Sequence, residues 1–171
     1  MKLNAKSPLV PLAALVAAVL VVGVIDPTFL SPHVLINLFA DSATLFLMAI
    51  GLTFVIMIGS IDLSPQAVAA LASVILAQLL PGWGYWAIPV ALLAGIVAGA
   101  ASGFTYAVLK IPSFVATLAV GGIIASLTLA LSDQRAIQLD TALRAEKLDW
   151  AIGTTFGLPN EVWLSLIVLV V

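Results

Sequence analysis

Between Ser42 and Leu109 the sequence carries one charged residue, Asp62. Long apolar runs lie on either side of it, and water-facing folds do not tolerate such runs. The whole chain is 63% hydrophobic and 8% charged, where a soluble domain carries about a quarter charged residues. One water-facing fold of 171 residues has too little interior for that apolar surface, so lipid must cover much of it. The expected fold class is all-α, a polytopic transmembrane helical bundle.

Charges and turn residues divide the chain into apolar segments at 7–25, 42–61, 63–80, 85–109 and 111–132, with an incomplete one at 162–171. Each of the first five holds enough residues to cross ~30 Å of hydrocarbon as a helix, giving about five full spans plus the start of a sixth. The first follows Lys2 and Lys6 but has no clear Ala-x-Ala cleavage site before Asp26-Pro27. It reads as a retained span rather than a signal peptide. A helical lead-in from Val34 to Asn37 is expected before the second segment, and Pro81-Gly82 is expected to stop the third. Residues 133–161 carry eight of the fourteen charges and read as a loop outside the hydrocarbon. Asp140 is expected to cap a short surface helix there, with Leu143 and Trp150 on one face. The last apolar run reaches only about half a bilayer, as if the chain ended within a span.

Alternating crossings place the 59–63 turn and Lys110 on one side. The 26–33 link, the 81–84 turn and the charged loop fall on the other. Lys2, Lys6 and Lys110 lie on the first side, and Arg135, Arg144 and Lys147 are diluted along the long loop of the second. This favours a cytoplasmic amino terminus. Trp83, Tyr85, Trp86, Trp150 and Trp163 read as an interfacial aromatic belt, and His33 as an ordinary boundary residue.

Ala91, Gly95, Gly99 and Gly103 recur every fourth residue and form a smooth ridge suited to close helix packing. Ser113 and Thr117 share one helix face. They fit either a cavity lining or hydroxyls bonded back to their own helix. Asp62 also has two explanations. In one, it belongs to a tight surface turn, Ser64 caps the next helix and Pro65 takes its first position. In the other, the turn dips below the surface and Asp62 meets water, a partner residue or a substrate path, because an acid in hydrocarbon is costly. Asp62, Ser64, Ser113 and Thr117 are therefore the candidate substrate-pathway residues.

Cysteine is absent, which excludes disulfide frameworks and thiolate metal sites. No phosphate loop, nucleophile turn or paired histidines occur, so no enzyme, cofactor or metal site is expected. The balanced charge does not suggest nucleic-acid binding.

The run Leu52-Thr53-Phe54-Val55-Ile56-Met57-Ile58-Gly59-Ser60-Ile61-Asp62-Leu63-Ser64 resembles the signature stretch of the ribose-type (monosaccharide) permeases of bacterial ABC importers. In that family it runs Gly-Met-Thr-Phe-Val-Ile, then Gly-Gly-Ile-Asp-Leu-Ser. Lys110-Ile111-Pro112-Ser113-Phe114-Val115-Ala116-Thr117-Leu118 is similar to the family's Pro-Pro-Phe-Ile-Val-Thr-Leu. Phe29-Leu30-Ser31-Pro32 to Asn37-Leu38 is similar to its first external link. Ser60 stands where the family has a second glycine, Pro65-Gln66 where it has Val-Gly, and Leu131-Ser132-Asp133-Gln134-Arg135 where it has Thr-Gly-Gly.

The resemblance covers the amino-terminal half of such a permease. It implies a multi-pass bacterial inner-membrane subunit that forms part of a pathway for a monosaccharide or related polyol. The implied partners are a second permease subunit, separate ABC ATPase subunits and a periplasmic sugar-binding protein that touches the 133–161 loop. The alternatives are a non-transporting membrane assembly protein, for which the glycine ridge and loop would suffice, and a non-functional truncated permease.

Overall fold

A computed structural model describes residues 9–170. The expected starts at residue 7 and at Lys2 and Lys6, and the end at Val171, lie outside the described residues. Helix α1 is Leu9–Ile25 and a 3-10 turn follows at Pro27–Leu30. Next come α2 (Pro32–Met57), α3 (Pro65–Trp83), a second 3-10 turn at Gly84–Trp86 and α4 (Ala87–Ala107). Helices α5 (Ser113–Leu131) and α6 (Thr141–Ile152) lead to a two-stranded hairpin, β1 (Thr154–Thr155) and β2 (Leu158–Pro159), and then to α7 (Asn160–Val170). The fold is all-α apart from that hairpin.

Burial is inverted relative to a soluble protein. The buried positions are mostly alanine, serine and threonine, while Leu92, Ile96, Phe104, Leu118, Ile123 and many other large apolar side chains face outward. Small residues inside and large ones outside suit helices whose solvent is lipid, since hydrocarbon gives leucine no reason to hide. Leu71, Ala98 and Ile124 join α3, α4 and α5 in one core, with Val68, Ile75, Ala94 and Val120 packed around it. Helix α2 instead packs against α7 and β2, and α1 mainly against the 3-10 turn that follows it.

Several boundaries differ from the sequence expectation for definable reasons. Helix α2 begins at Pro32 with Ser31 as its N-cap, so the expected lead-in at Val34 to Asn37 is helical and runs through Asp41 into the apolar segment without a break. Its 26 residues reach ~39 Å, longer than the hydrocarbon is thick. Its first turns can therefore carry His33, Asn37 and Asp41 at the interface. A charge ends the apolar stretch without ending the helix. Asn37 and His33, one turn apart, are 2.9 Å from each other through Nδ2 and Nδ1.

Pro81 does not stop α3, which continues to Trp83. The stop is Gly84, whose φ of +56° lies in the left-handed region and whose N–H donates to Leu80 O. A proline in the last turn deletes one hydrogen bond without forcing the chain to leave the helix.

The two ends of the bundle match the expected alternation. Lys147 Nζ sits 5.4 Å from the Tyr85 ring centre, which puts the α3–α4 turn and α6 at one end. The 59–63 turn meets Ser113 at the other. Asp140 caps α6 through Oδ1, which accepts from the N–H groups of Ala142 and Leu143 at 2.8 and 3.3 Å.

The hairpin was not expected. Phe156 and Gly157 both have positive φ, the geometry of a two-residue turn that matches strand twist. Beside it, a Cβ on Gly153 would collide with the Asp149 carbonyl that accepts the Gly153 N–H at 2.7 Å. Gly153→Ala is therefore expected to detach the hairpin from α6, with a cost of about 1–3 kcal/mol typical of overpacking. Faster proteolysis of residues 150–160 would register it.

Candidate functional site

Helix α2 ends by a local device. Gly59 N–H donates to Ile56 O at 2.9 Å and Ser60 N–H to Val55 O at 3.1 Å. These nested bonds close a left-handed C-cap centred on Gly59, whose φ is +75°. A side chain there must adopt a conformation costing ~1–2 kcal/mol. Gly59→Val is thus expected to lower stability by about that amount, with Gly59→Asn milder, as read by thermal unfolding of the purified protein.

Beyond Gly59 the chain does not return to helix until Pro65. Two backbone N–H groups of this segment are satisfied by α5 instead. Ile61 N–H donates to Ser113 Oγ at 3.1 Å and Leu63 N–H to Thr117 Oγ1 at 3.0 Å. The Thr117 hydroxyl lies 3.4 Å from both Ile61 O and Phe114 O. The spacing explains the fit. Four helical residues advance ~6 Å and two extended residues ~6.6 Å, so alternate N–H groups of an extended strand meet successive turns of one helix face. One turn further along α5, Gly121 provides clearance: a Cβ there would lie 3.4 Å from both Cα and Cβ of Ser64.

This register places the segment along α5. Gly121 lies eight residues beyond Ser113, ~12 Å along a helix whose 19 residues suit one crossing. Residues 61–64 therefore run beside the first part of α5, and α3 starts against Gly121. Within a membrane, non-helical backbone persists only where protein covers it or it lines a cavity.

Ser64 occupies the N-cap position and Pro65 the first helical position, but the Ser64 side chain caps nothing. The direction is reversed from expectation. Asp62 Oδ1 accepts from Ser64 N–H at 2.8 Å and from Ser64 Oγ at 2.7 Å. An aspartate two residues ahead offers a charged acceptor and so outcompetes the self-capping serine. Ser113 and Thr117 do line a cavity, as one sequence alternative had it, and their hydroxyls also hold a segment more than fifty residues away, which neither alternative described.

Two cavities meet at Asp62. One, of about 460 Å³, opens between α2 and the α3–α4 pair and is lined by residues including Leu52, Val55, Ser64, Val68 and Gly95. The other, of about 150 Å³, is lined by residues including Ser60, Ser102, Gly103, Tyr106, Ser113 and Thr117. Asp62 and Gly99 line both.

The glycine ridge divides accordingly. Ala91 is buried, and a Cβ on Gly95 would touch Val68 at 3.6 Å. Gly99 and Gly103 face open space and border the cavities rather than a helix of this chain. Sequence reasoning missed Ser60 and Ser102, both buried. Only the neighbouring small-residue ridge hinted at Ser102. A larger concavity of about 570 Å³, lined by Trp83, Trp86, Pro89, Val90 and Leu93, lies at the aromatic turn and is apolar, as a lipid-facing belt requires.

No group of three or more His, Cys, Asp or Glu residues able to hold a metal occurs among the described residues. Asp62 also has no ion-pair partner among them. The arrangement offers a carboxylate, hydroxyls and a non-helical backbone along a cavity within a membrane bundle, the class of architecture that membrane transport proteins use for solute passage.

Comparison with known proteins agrees with that class. A family model described as "branched-chain amino acid transport system / permease component" matches residues 34–171, and the chain belongs to this permease family. Among its relatives, the ribose import permease protein RbsC of Haemophilus influenzae is 34% identical over 164 residues, covering 92% of this chain and 50% of that protein. The inner membrane ABC transporter permease protein YjfF of Escherichia coli is 42% identical over 96 residues, covering 54% of this chain and 29% of that protein. The autoinducer 2 import system permease protein LsrC of Escherichia coli is 33% identical over 163 residues, covering 91% and 46%. The chain thus spans about half the length of these relatives or less. No solved structure matches it.

Proposed function

We propose that the complete protein is a membrane-spanning subunit of an ATP-driven ABC importer in a bacterial inner membrane. In this reading it forms part of the pathway for a monosaccharide or related small polyol. The observation that carries the proposal is the interrupted span at residues 60–64, with Asp62 set between two cavities inside a permease-family bundle. Ribose import by the Haemophilus influenzae relative supports the substrate class.

Within the proposed pathway Asp62 faces the cavities. Ser64 orients it, and Ser113 and Thr117 hold the segment that presents it. Gly99 and Gly103 leave room for a solute or for a further helix. ATP hydrolysis belongs to separate ATPase subunits, and a second permease subunit, identical or paralogous, completes the passage. The α6–hairpin loop is the surface proposed to meet a periplasmic sugar-binding protein, with Phe156 standing 94% exposed at its tip.

The test is uptake of radiolabelled pentoses, hexoses and polyols into cells holding the intact system. Deletion of the full gene is expected to abolish ATP-dependent accumulation of at least one of them. Unchanged uptake of the whole panel would reject the proposal.

A further inference from the structure

The bracing of residues 60–64 leaves two hydroxyls unaccounted for. Ser60 and Ser102 are only 6% and 5% exposed, and neither Oγ meets a hydrogen-bond partner. Ser102 is the more informative. Ser42, Thr53, Ser73, Thr105, Ser126 and Thr128 each return their hydroxyl to the carbonyl four residues back in their own helix. That option is generic for a helical serine, yet Ser102 does not take it. It lines the 150 Å³ cavity together with Ser60 and Asp62. Asp62 commits Oδ1 to Ser64, while its Oδ2 accepts no hydrogen bond from a described residue.

The cavity therefore presents two hydroxyl protons in need of an acceptor and one carboxylate oxygen in need of a donor. A cation serves the oxygen but cannot accept a hydroxyl proton. Water serves all three. A cavity of this volume has room for about five molecules at ~30 Å³ each, and it has the two to four polar partners that a buried water requires. Gly103 keeps it open, since a Cβ at that position would meet nothing within 4 Å.

We propose that the cavity between Ser60, Ser102 and Asp62 is a built hydration site. Its ordered water accepts the two serine protons and donates to the free Asp62 oxygen. The proposal needs the fold but not the transport reading: it would hold in a membrane protein that carried no sugar.

The test uses the complete protein in lipid nanodiscs at neutral pH, without sugar. Gly103→Leu, which puts a larger side chain at the cavity wall, is expected to exclude solvent from beside Ser60 and Ser102, while Gly103→Ala leaves it in place. A high-resolution map is expected to show solvent density within hydrogen-bond distance of both serine hydroxyls, unchanged when choline replaces sodium. Ser102→Ala, a mild substitution, is expected to lose the density beside residue 102 and keep that beside Asp62.

Four results would overturn the proposal. These are a map of the unsubstituted protein with no solvent density beside the two serines, a folded Gly103→Leu protein that keeps that density, density that disappears in choline, and density that forms only when a sugar is added. The last two would assign the cavity to a cation or to a polyol.

Discussion

Thr117→Val is expected to destabilise the protein by about 1–3 kcal/mol, the cost of stranding a poorly solvated donor. The substitution keeps the side-chain shape and removes only the hydroxyl that accepts the Leu63 N–H at 3.0 Å. Thr117 is buried, and in hydrocarbon no bulk water arrives to replace the lost acceptor. Thr128→Val is the control. It lies on the same helix and is also buried, but its hydroxyl only returns to Ile124 O, a carbonyl the helix already satisfies. Its loss is expected to cost a few tenths of a kcal/mol, since removing such back-bonding is nearly neutral. Unfolding in mixed micelles measures both. Amide exchange at Leu63 is expected to quicken in Thr117→Val alone, and equal losses in the two variants would place the bracing role elsewhere.

The second large effect is at Asp62, where two substitutions separate geometry from charge. Asp62→Ala removes the acceptor for both the N–H and the hydroxyl of Ser64. Hydrogen bonds to an ionised acceptor contribute ~1.5–3 kcal/mol, so this variant is expected to accumulate poorly in the membrane. Asp62→Asn keeps an amide oxygen where Oδ1 stands, removes the charge and turns the other oxygen position into a donor. Its expected result is normal expression with uptake reduced at least about tenfold, equivalent to ~1.4 kcal/mol in a transport barrier. Undiminished uptake by Asp62→Asn would make the residue a turn-former alone. Comparing the two variants matters because a loss in Asp62→Ala by itself would not distinguish the roles.

The sequence revealed much of this fold because hydrocarbon imposes simple rules. Uninterrupted apolar runs located the helices, and the alternation of ends followed from counting crossings. Asp140 identified the start of α6 because capping is a local interaction between residues two or three apart.

What it hid was either competitive or distant. Ser64 and Asp62 are both good acceptors near a helix start, and which one serves depends on the backbone angles adopted after Gly59. Ser113 and Thr117 showed a shared face by their spacing. Nothing local could say that this face would meet residues 61 and 63, more than fifty positions earlier.

Pro81 misled because it removes one hydrogen bond without forcing the backbone out of a helix. Phe156-Gly157 was obscure because phenylalanine seldom takes positive φ, so only the glycine hinted at a turn.

The central claim is the depth of the segment between α2 and α3, and nitroxide labelling tests it most directly. Residues 1–171 contain no cysteine, so single labels at Leu63→Cys, Leu118→Cys and Leu109→Cys meet no background within them. All three leucines face outward. Depth in the bilayer is then read from the ratio of collisions with oxygen and with a water-soluble nickel chelate. The account predicts that the labels at 63 and 118 lie at matching depth, more than one helical turn, ~5.4 Å, below the label at 109. A label at residue 63 level with the one at 109 would contradict it.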